Sequence, residues 1–335
     1  MNNSLKREIT YLEAIRETMI QVMEQDNDVY LIGEDVAEYG GAFGVSVGML
    51  EKFGKERVIN TPISEDAIVG VAAGSALTGM RPIVEIMFSD FITIAMDEIA
   101  NQAAKIRYMF GGKASVPFVL RTAGGGGTGA AGQHSQSLEA LAAHIPGLKV
   151  VMPSSPYDAK GLLYSAIKDN NPVIFIEHKL LYKNKKYIED VPENLYEIPL
   201  GVGEVKRQGK DITIAAASFM VKKSLEAAEQ LFEEEKIDCE VIDLRTLRPL
   251  DINIILNSIA KTGRLLCVEE ACGFGGFMGE VVAQTVQKGF DYLDAPILRV
   301  SGRNCPVPYS LVLEDEMIPN IERIKKGVRD VLKNI

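Results

Sequence analysis

The chain reads as an α/β protein built on parallel sheets, and three observations predict this. Short runs that are apolar throughout recur: VYLIG at residues 29–33, PIVEIM from Pro82, FVLRTA from Phe118, KVVMP from Lys149 and VIFIEH from Val173. Stretches of helical character separate them, such as residues 93–108 and 157–168. The same alternation stops near residue 180 and resumes near residue 211. Strands with no polar face, alternating with helices, belong to a parallel sheet covered on both sides.

Taken in order, Thr10 and Glu13 form a capping-box pair that opens an amphipathic helix. Leu12, Ile15, Met19 and Val22 recur on one face at helical spacing, so that face is buried. Residues 25–28 break the helix before the first apolar strand. From residue 180 to 208 the composition turns polar, with Pro192 and Pro199 and no sustained period, which is how a linker reads. Beyond it come DITIAAAS from Asp211, a helix over residues 222–235, CEVIDLR from Cys239, RLLCVEEA from Arg264 and ILRVSG from Ile297. The expected organisation is a larger domain over residues 1–185, a linker over 186–208 and a smaller α/β domain over 209–335.

The 335 residues, 47% of them hydrophobic, are enough for about two buried cores. Lys plus Arg number 36 against 46 Asp plus Glu, and no basic block relieves the net charge of -10, which argues against a nucleic-acid surface. Four cysteines lie in the last third without CxxC spacing, and none of the three histidines pairs with one at zinc-like spacing. Reduced thiols, no apolar signal core over residues 1–7 and no apolar run of membrane-spanning length together predict a cytoplasmic protein.

In a parallel sheet the loops after the strand carboxyl ends carry function. Four such places stand out. Glu34 and Asp35 directly follow the first strand. Glu65, in Thr61-Pro62-Ile63-Ser64-Glu65, opens a helix rich in small residues and is either a dipole-stabilising acid or a site acid held there. RTAGGGGTGAAG, residues 121–132, lacks the GK[ST] of a phosphate-binding loop and the downstream acid of a dinucleotide fingerprint. So many glycines predict either backbone lying close to something or a slack loop. His134 follows immediately and is an acid/base candidate. Finally, Gly273-Phe274-Gly275-Gly276-Phe277 after Glu269-Glu270 reads as a tight strand-to-helix turn.

At these positions the chain resembles a known family. GEDV (33–36), TPISE (61–65), TGMRPIVEIMFSDF (78–91), RYMFGG (107–112), QHSQS (133–137), HIPGLKVVMPSSPYDAKGLL (144–163) and DNNPVIFIEHKLLY (169–182) occur in order. They look like the beta subunits of the pyruvate, acetoin and branched-chain 2-oxo acid dehydrogenases. The resemblance implies a transketolase-like pyrimidine-binding domain followed by a transketolase C-terminal domain. It also implies thiamine diphosphate as cofactor, shared with an alpha subunit that would hold the magnesium, since no GDG motif occurs here. The implied assembly has two alpha and two beta subunits. The implied reaction decarboxylates a 2-oxo acid, or cleaves acetoin, and passes the acyl group to the lipoyl domain of a dihydrolipoyl acyltransferase whose subunit-binding domain docks the complex.

Carried over residue by residue, the resemblance makes Glu65 the acid that hydrogen-bonds the cofactor's aminopyrimidine. A shielded carboxyl there can share a proton with the ring nitrogen. Ile63, Met87 and Phe91 are implied to line the ring, His134 to manage protons in transfer to lipoyl, and Glu34 to support the site. A structural potassium ion is implied at Phe118, Ala166, Asp169 and Asn171. MFSDF and NQAAKIRYMFGG lean towards the acetoin branch, while Ile94 stands where some pyruvate enzymes carry a polar residue. Two alternatives remain in view: half of a split transketolase, which would carry more basic and histidine residues, and a non-catalytic scaffold, which would have no need of Glu65.

Overall fold

A computed structural model describes residues 7–333. Most of the amino-terminal stretch read above as lacking a signal core, residues 1–6, lies outside the described residues. Contacts divide the chain into two compact units, residues 1–124 with 142–200, and residues 125–141 with 201–335.

In the first unit a short strand β1 (Glu8–Ile9) leads into α1 (Tyr11–Gln25) through the capping box. The Glu13 amide donates to the Thr10 hydroxyl at 3.2 Å and the Thr10 amide to the Glu13 carboxylate at 2.8 Å. Leu12, Ile15, Met19 and Val22 are all buried, as their spacing requires. There follow β2 (Val29–Gly33), α2 (Met49–Phe53), β3 (Val58–Asn60), α3 (Glu65–Leu77), β4 (Arg81–Phe88), α4 (Ala104–Met109) and β5 (Val119–Gly124). After α5 (Glu139–His144), which spans the division between units, come β6 (Lys149–Val151), α6 (Pro156–Lys168), β7 (Val173–His178) and β8 (Glu189–Asp190). The parallel sheet runs in the order β6-β7-β5-β4-β2-β3. β2, β5 and β7 are buried along their whole length, which explains their unbroken apolar sequences.

Arg121 breaks that apolar rule. Fully buried on β5, its guanidinium donates twice to Glu177 on β7, at 2.7 and 2.8 Å, and once to Glu85 on β4 at 2.8 Å. Two neighbouring strands thus satisfy one buried charge with opposite charges in the same layer, as burial demands.

The second unit holds β9 (Glu204–Arg207), β10 (Ile212–Ala216), α7 (Phe219–Glu235), β11 (Cys239–Asp243), β12 (Thr246–Arg248) and α8 (Ile252–Thr262). Then come β13 (Leu265–Cys272), α9 (Met278–Gly289), β14 (Leu298–Gly302), α10 (Leu311–Met317) and α11 (Ile321–Lys333). Its sheet runs β14-β13-β10-β11-β9, parallel except for β9 at one edge.

Three boundaries differ from expectation. Residues 186–208 are not a free linker: β8 pairs with β1, the buried Lys160 ammonium donates to the carbonyls of Pro192 and Glu193, and β9 joins the second sheet. Local composition could not reveal partners so remote in sequence. The helix expected over residues 93–108 is a 3₁₀ turn at Ser89–Thr93, a π-helical turn at Glu98–Ala103 and then α4. The glycine-rich segment 125–141, expected within the first domain, belongs to the second unit.

Candidate active site

The two acids singled out in the first unit meet at the carboxyl end of its sheet. Gly33 ends β2 opposite Asn60 on β3, and the Thr61 amide donates to the Gly33 carbonyl at 3.0 Å. That register starts Glu34 beside the loop leading to α3, whose first residue is Glu65. Both carboxylates are buried, at 8% and 6% exposure, in a position where surface acids would ordinarily be solvated. Burial pushes the Glu34 carboxyl above its usual range and the neighbouring Glu65 charge adds to this, while the Ser64 amide donates to it and pulls the other way. Glu34 Oε1 has no hydrogen-bond partner, and neither does the buried Thr61 hydroxyl.

β4 runs alongside β2 with Glu85 opposite Gly33, so Met87 emerges two residues later at the same end of the sheet. Phe91 follows in the 3₁₀ turn, its ring edge-on to Phe88 at 5.9 Å between centroids. Met87 and Phe91 are half-buried, and Ile63 is 83% exposed. Two buried acids, an orphaned carboxylate oxygen and half-buried apolar walls suit a flat heteroaromatic ring with N–H donors. The donor set therefore fits an aminopyrimidine.

His134 lies in the second unit, half-buried, its amide donating to the Ala131 carbonyl at 3.3 Å. Of the two readings of the glycine run, backbone lying close to something or a slack loop, the first holds, because the run is tied down. The Gly126 amide donates to Glu270 at 2.6 Å, and the Gly127 and Gly129 amides donate to Glu314 at 2.7 and 2.8 Å. The neighbouring Ser135 hydroxyl and Glu139 Oε2 are buried without partners. Burial, reinforced by the charges of Glu269 and Glu270, pushes the Glu139 carboxyl up to about 7. Ser135 and Gln136 line a cavity of about 340 Å³ together with Glu270, Cys272, Cys305 and Met317. The turn at residues 273–277 is structural, as expected: Glu269 accepts the Met278 amide at 3.0 Å and the Ser301 hydroxyl at 2.8 Å.

Phe118, Ala166, Asp169 and Asn171 gather near the carboxyl end of α6. The Phe118 carbonyl accepts the Val173 amide and the Ala166 carbonyl the Asp169 amide, at 3.0 and 3.2 Å. The Asn171 side chain donates to Asp169 Oδ1 at 2.8 Å. Arg81 adds a fixed positive charge, donating to the carbonyls of Ile167 and Asp169 at 2.9 and 3.3 Å. Each carbonyl has a second lone pair, while the Arg81 guanidinium and the Lys149 ammonium, which pairs with Asp169, already bring positive charge to the cluster. Among the described residues no cluster of His, Cys, Asp and Glu suits a side-chain metal site.

Comparison with known proteins extends what the geometry suggests. Residues 7–185 match the family model "Transketolase, pyrimidine binding domain" and residues 201–324 match "Transketolase, C-terminal domain". The chain is 48% identical to the acetoin:2,6-dichlorophenolindophenol oxidoreductase subunit beta of Bacillus subtilis, over 98% of both chains. It is 46% identical to the pyruvate dehydrogenase E1 component subunit beta of Rickettsia felis, over 95% of this chain and 98% of that one. The chain belongs to this beta-subunit family. A 2-oxoisovalerate dehydrogenase subunit beta of Bacillus subtilis is similar too, at 44% identity over 96% of this chain and 98% of that one. A solved structure titled "Split gene transketolase, inactive beta4 tetramer" superposes with a TM-score of 0.78 over 98% of this chain and 99% of that one, and at 22% identity it speaks for the fold alone.

For this beta-subunit chain, Glu34, Glu65 and Met87 share one end of the first sheet, and His134 belongs to the second unit. Sequence reasoning missed Arg81, Glu139 and Glu314. Arg81 and Glu314 lie far along the chain from the groups they hold. Glu139 had a usable signal, an acid in the first turn of a helix five residues after the one histidine that follows the glycine run.

Proposed function

We propose that this chain is the beta half of a thiamine-diphosphate-dependent dehydrogenase that acts on a small 2-oxo acid or on acetoin and passes an acyl group to a lipoyl acceptor. The buried acid pair Glu34–Glu65 at the carboxyl end of the first sheet is the observation that carries it. Thiamine diphosphate would supply a carbon nucleophile and an electron sink for cleaving the bond next to a carbonyl. Glu65 would hold the pyrimidine and keep a proton at its ring nitrogen, while Phe91, Met87 and Ile63 would fix the ring plane and exclude water. Glu34 would support the site through its otherwise partnerless carboxyl oxygen. His134 would manage a proton during transfer to lipoyl.

In this reading the alpha subunit carries the diphosphate and magnesium, two alpha and two beta chains assemble in the cytoplasm, and a dihydrolipoyl acyltransferase receives the acyl group. The oxygen cluster beside Arg81 takes a potassium ion. The 48% identical acetoin-type relative and the 46% identical pyruvate-type relative do not separate the two branches.

The deciding experiment co-expresses the chain with an alpha-like partner. The mixture is assayed with pyruvate, acetoin and branched-chain 2-oxo acids in the presence of thiamine diphosphate and magnesium. Turnover in the mixture alone is expected, and Glu65→Gln in the assembled complex should lower it by about 10² to 10⁴-fold. Turnover by this chain alone would refute the shared site, and near-normal turnover of the Glu65→Gln complex would refute the role of Glu65.

A further inference from the structure

We propose that Glu314 on α10 is the positioning residue for the loop that bears His134. The inference rests on the reading of His134 as the group that handles protons in lipoyl transfer, and it adds the device that keeps the loop in place.

The glycine run cannot hold its own shape, because its residues have almost unrestricted backbones. What fixes it is a set of amides turned towards carboxylates. Gly127 and Gly129 adopt φ values of +91° and +69°, and Gly125 and Ala131 are also left-handed at +80° and +62°. Left-handed residues interspersed along a chain turn its N–H groups inward into an anion-binding nest. Here the anion is the chain's own Glu314, fully buried, which accepts from Gly127 through one oxygen and from Gly129 through the other. Glu270 accepts from Gly126 alongside it. Hydrogen bonds to a carboxylate are about twice as strong as neutral ones, and burial prevents water from replacing them.

Shape reinforces the tether. A Cβ on Gly126 would stand 2.6 Å from Ile318 Cδ1 and 3.0 Å from Glu314 Oε1, so the loop backbone lies directly against α10 and its end. The anchored residues transmit this order to the histidine over a short path. The Gly125 amide donates to the Gln136 carbonyl at 3.4 Å and closes the segment into a ring that contains His134. Slackening the anchor therefore releases His134, while the acid pair of the first unit keeps its own hydrogen bonds.

The test uses the assembled complex with Glu314→Ala, Glu314→Gln and Gly126→Ala. Gln keeps one acceptor oxygen, and the Gly126 variant keeps the Glu314 carboxylate but pushes the loop away from it, since its Cβ would crowd Ile318 and Glu314. Amide hydrogen exchange of the peptide covering residues 125–137 should rise by about tenfold or more in Glu314→Ala and Gly126→Ala, and less in Glu314→Gln, with β10 and β13 unchanged. Lipoyl acylation should fall by about tenfold, while turnover with an artificial electron acceptor falls by less than about threefold. Unchanged exchange in the loop would overturn the tether. Faster exchange with both activities kept, or both lost equally, would overturn the positioning role. A wild-type complex with no turnover would sink the functional reading alone, leaving the exchange measurement to decide the tether.

Discussion

Burial of Glu139 couples the stability of the second unit to pH. Its carboxyl rises from an ordinary value of 4.5 to about 7, because the site is closed to water and Glu269 and Glu270 stand close by. Between those two values the folded chain holds a proton that the unfolded chain has already released. The stabilisation is full below about 4.5 and is lost as the pH rises through about 7. Glu139→Gln mimics the protonated form. It should raise the melting temperature by a few degrees at pH 8 and leave it nearly unchanged at pH 5, as read by calorimetry in matched buffers. A gain of equal size at both pH values would show that the carboxyl does not titrate in this window. The acid itself was visible in the sequence five residues after His134. That it is buried among other acids was not, because Glu269 and Glu270 lie about 130 residues away, and only folding joins them.

The junction of β2 with Glu34 depends on one small residue. A Cβ at Gly33 would lie 2.6 Å from the Glu85 carbonyl oxygen and 3.0 Å from Val36, and the first of these is backbone that cannot swing aside. Gly33→Ala should cost about 1–3 kcal/mol by forcing β2 away from β4. Chemical denaturation would measure this, and an unchanged midpoint would mean that the strands accommodate a methyl group. Strands and long amphipathic helices were legible because their periods are local: α1 was announced by Thr10, Glu13 and four apolar positions on one face. The stretch around residues 93–108 was not, since its apolar residues fit a helical period while the backbone tightens to 3₁₀ near Phe91 and widens to π beyond it. Tertiary packing decides which turn a short apolar segment adopts.

On the scale of the whole molecule, the oxygen cluster draws on the start of β4, the approach to β5 and the end of α6. Bound potassium would stabilise the folded state by mass action. Melting in potassium chloride should therefore occur a few degrees above melting in choline chloride at equal ionic strength, and Arg81→Ala should enlarge that dependence by removing the fixed charge beside the ion. Identical melting in both salts would remove the ion from the proposal. The sequence by itself determined the α/β class, the two sheets, the family and the acids at the first strand ends, because apolar periodicity and contiguous motifs are properties of neighbouring residues. Tertiary structure alone decided that residues 125–141 leave the first unit for the second, that β8 and β9 make the expected linker part of the fold, and that the glycine loop is held. In each case the reason is the same. Backbone amides with no local partner must be satisfied on burial, and the groups that satisfy them lie outside the local window: the carboxylates of the glycine loop come from 144 to 187 residues away.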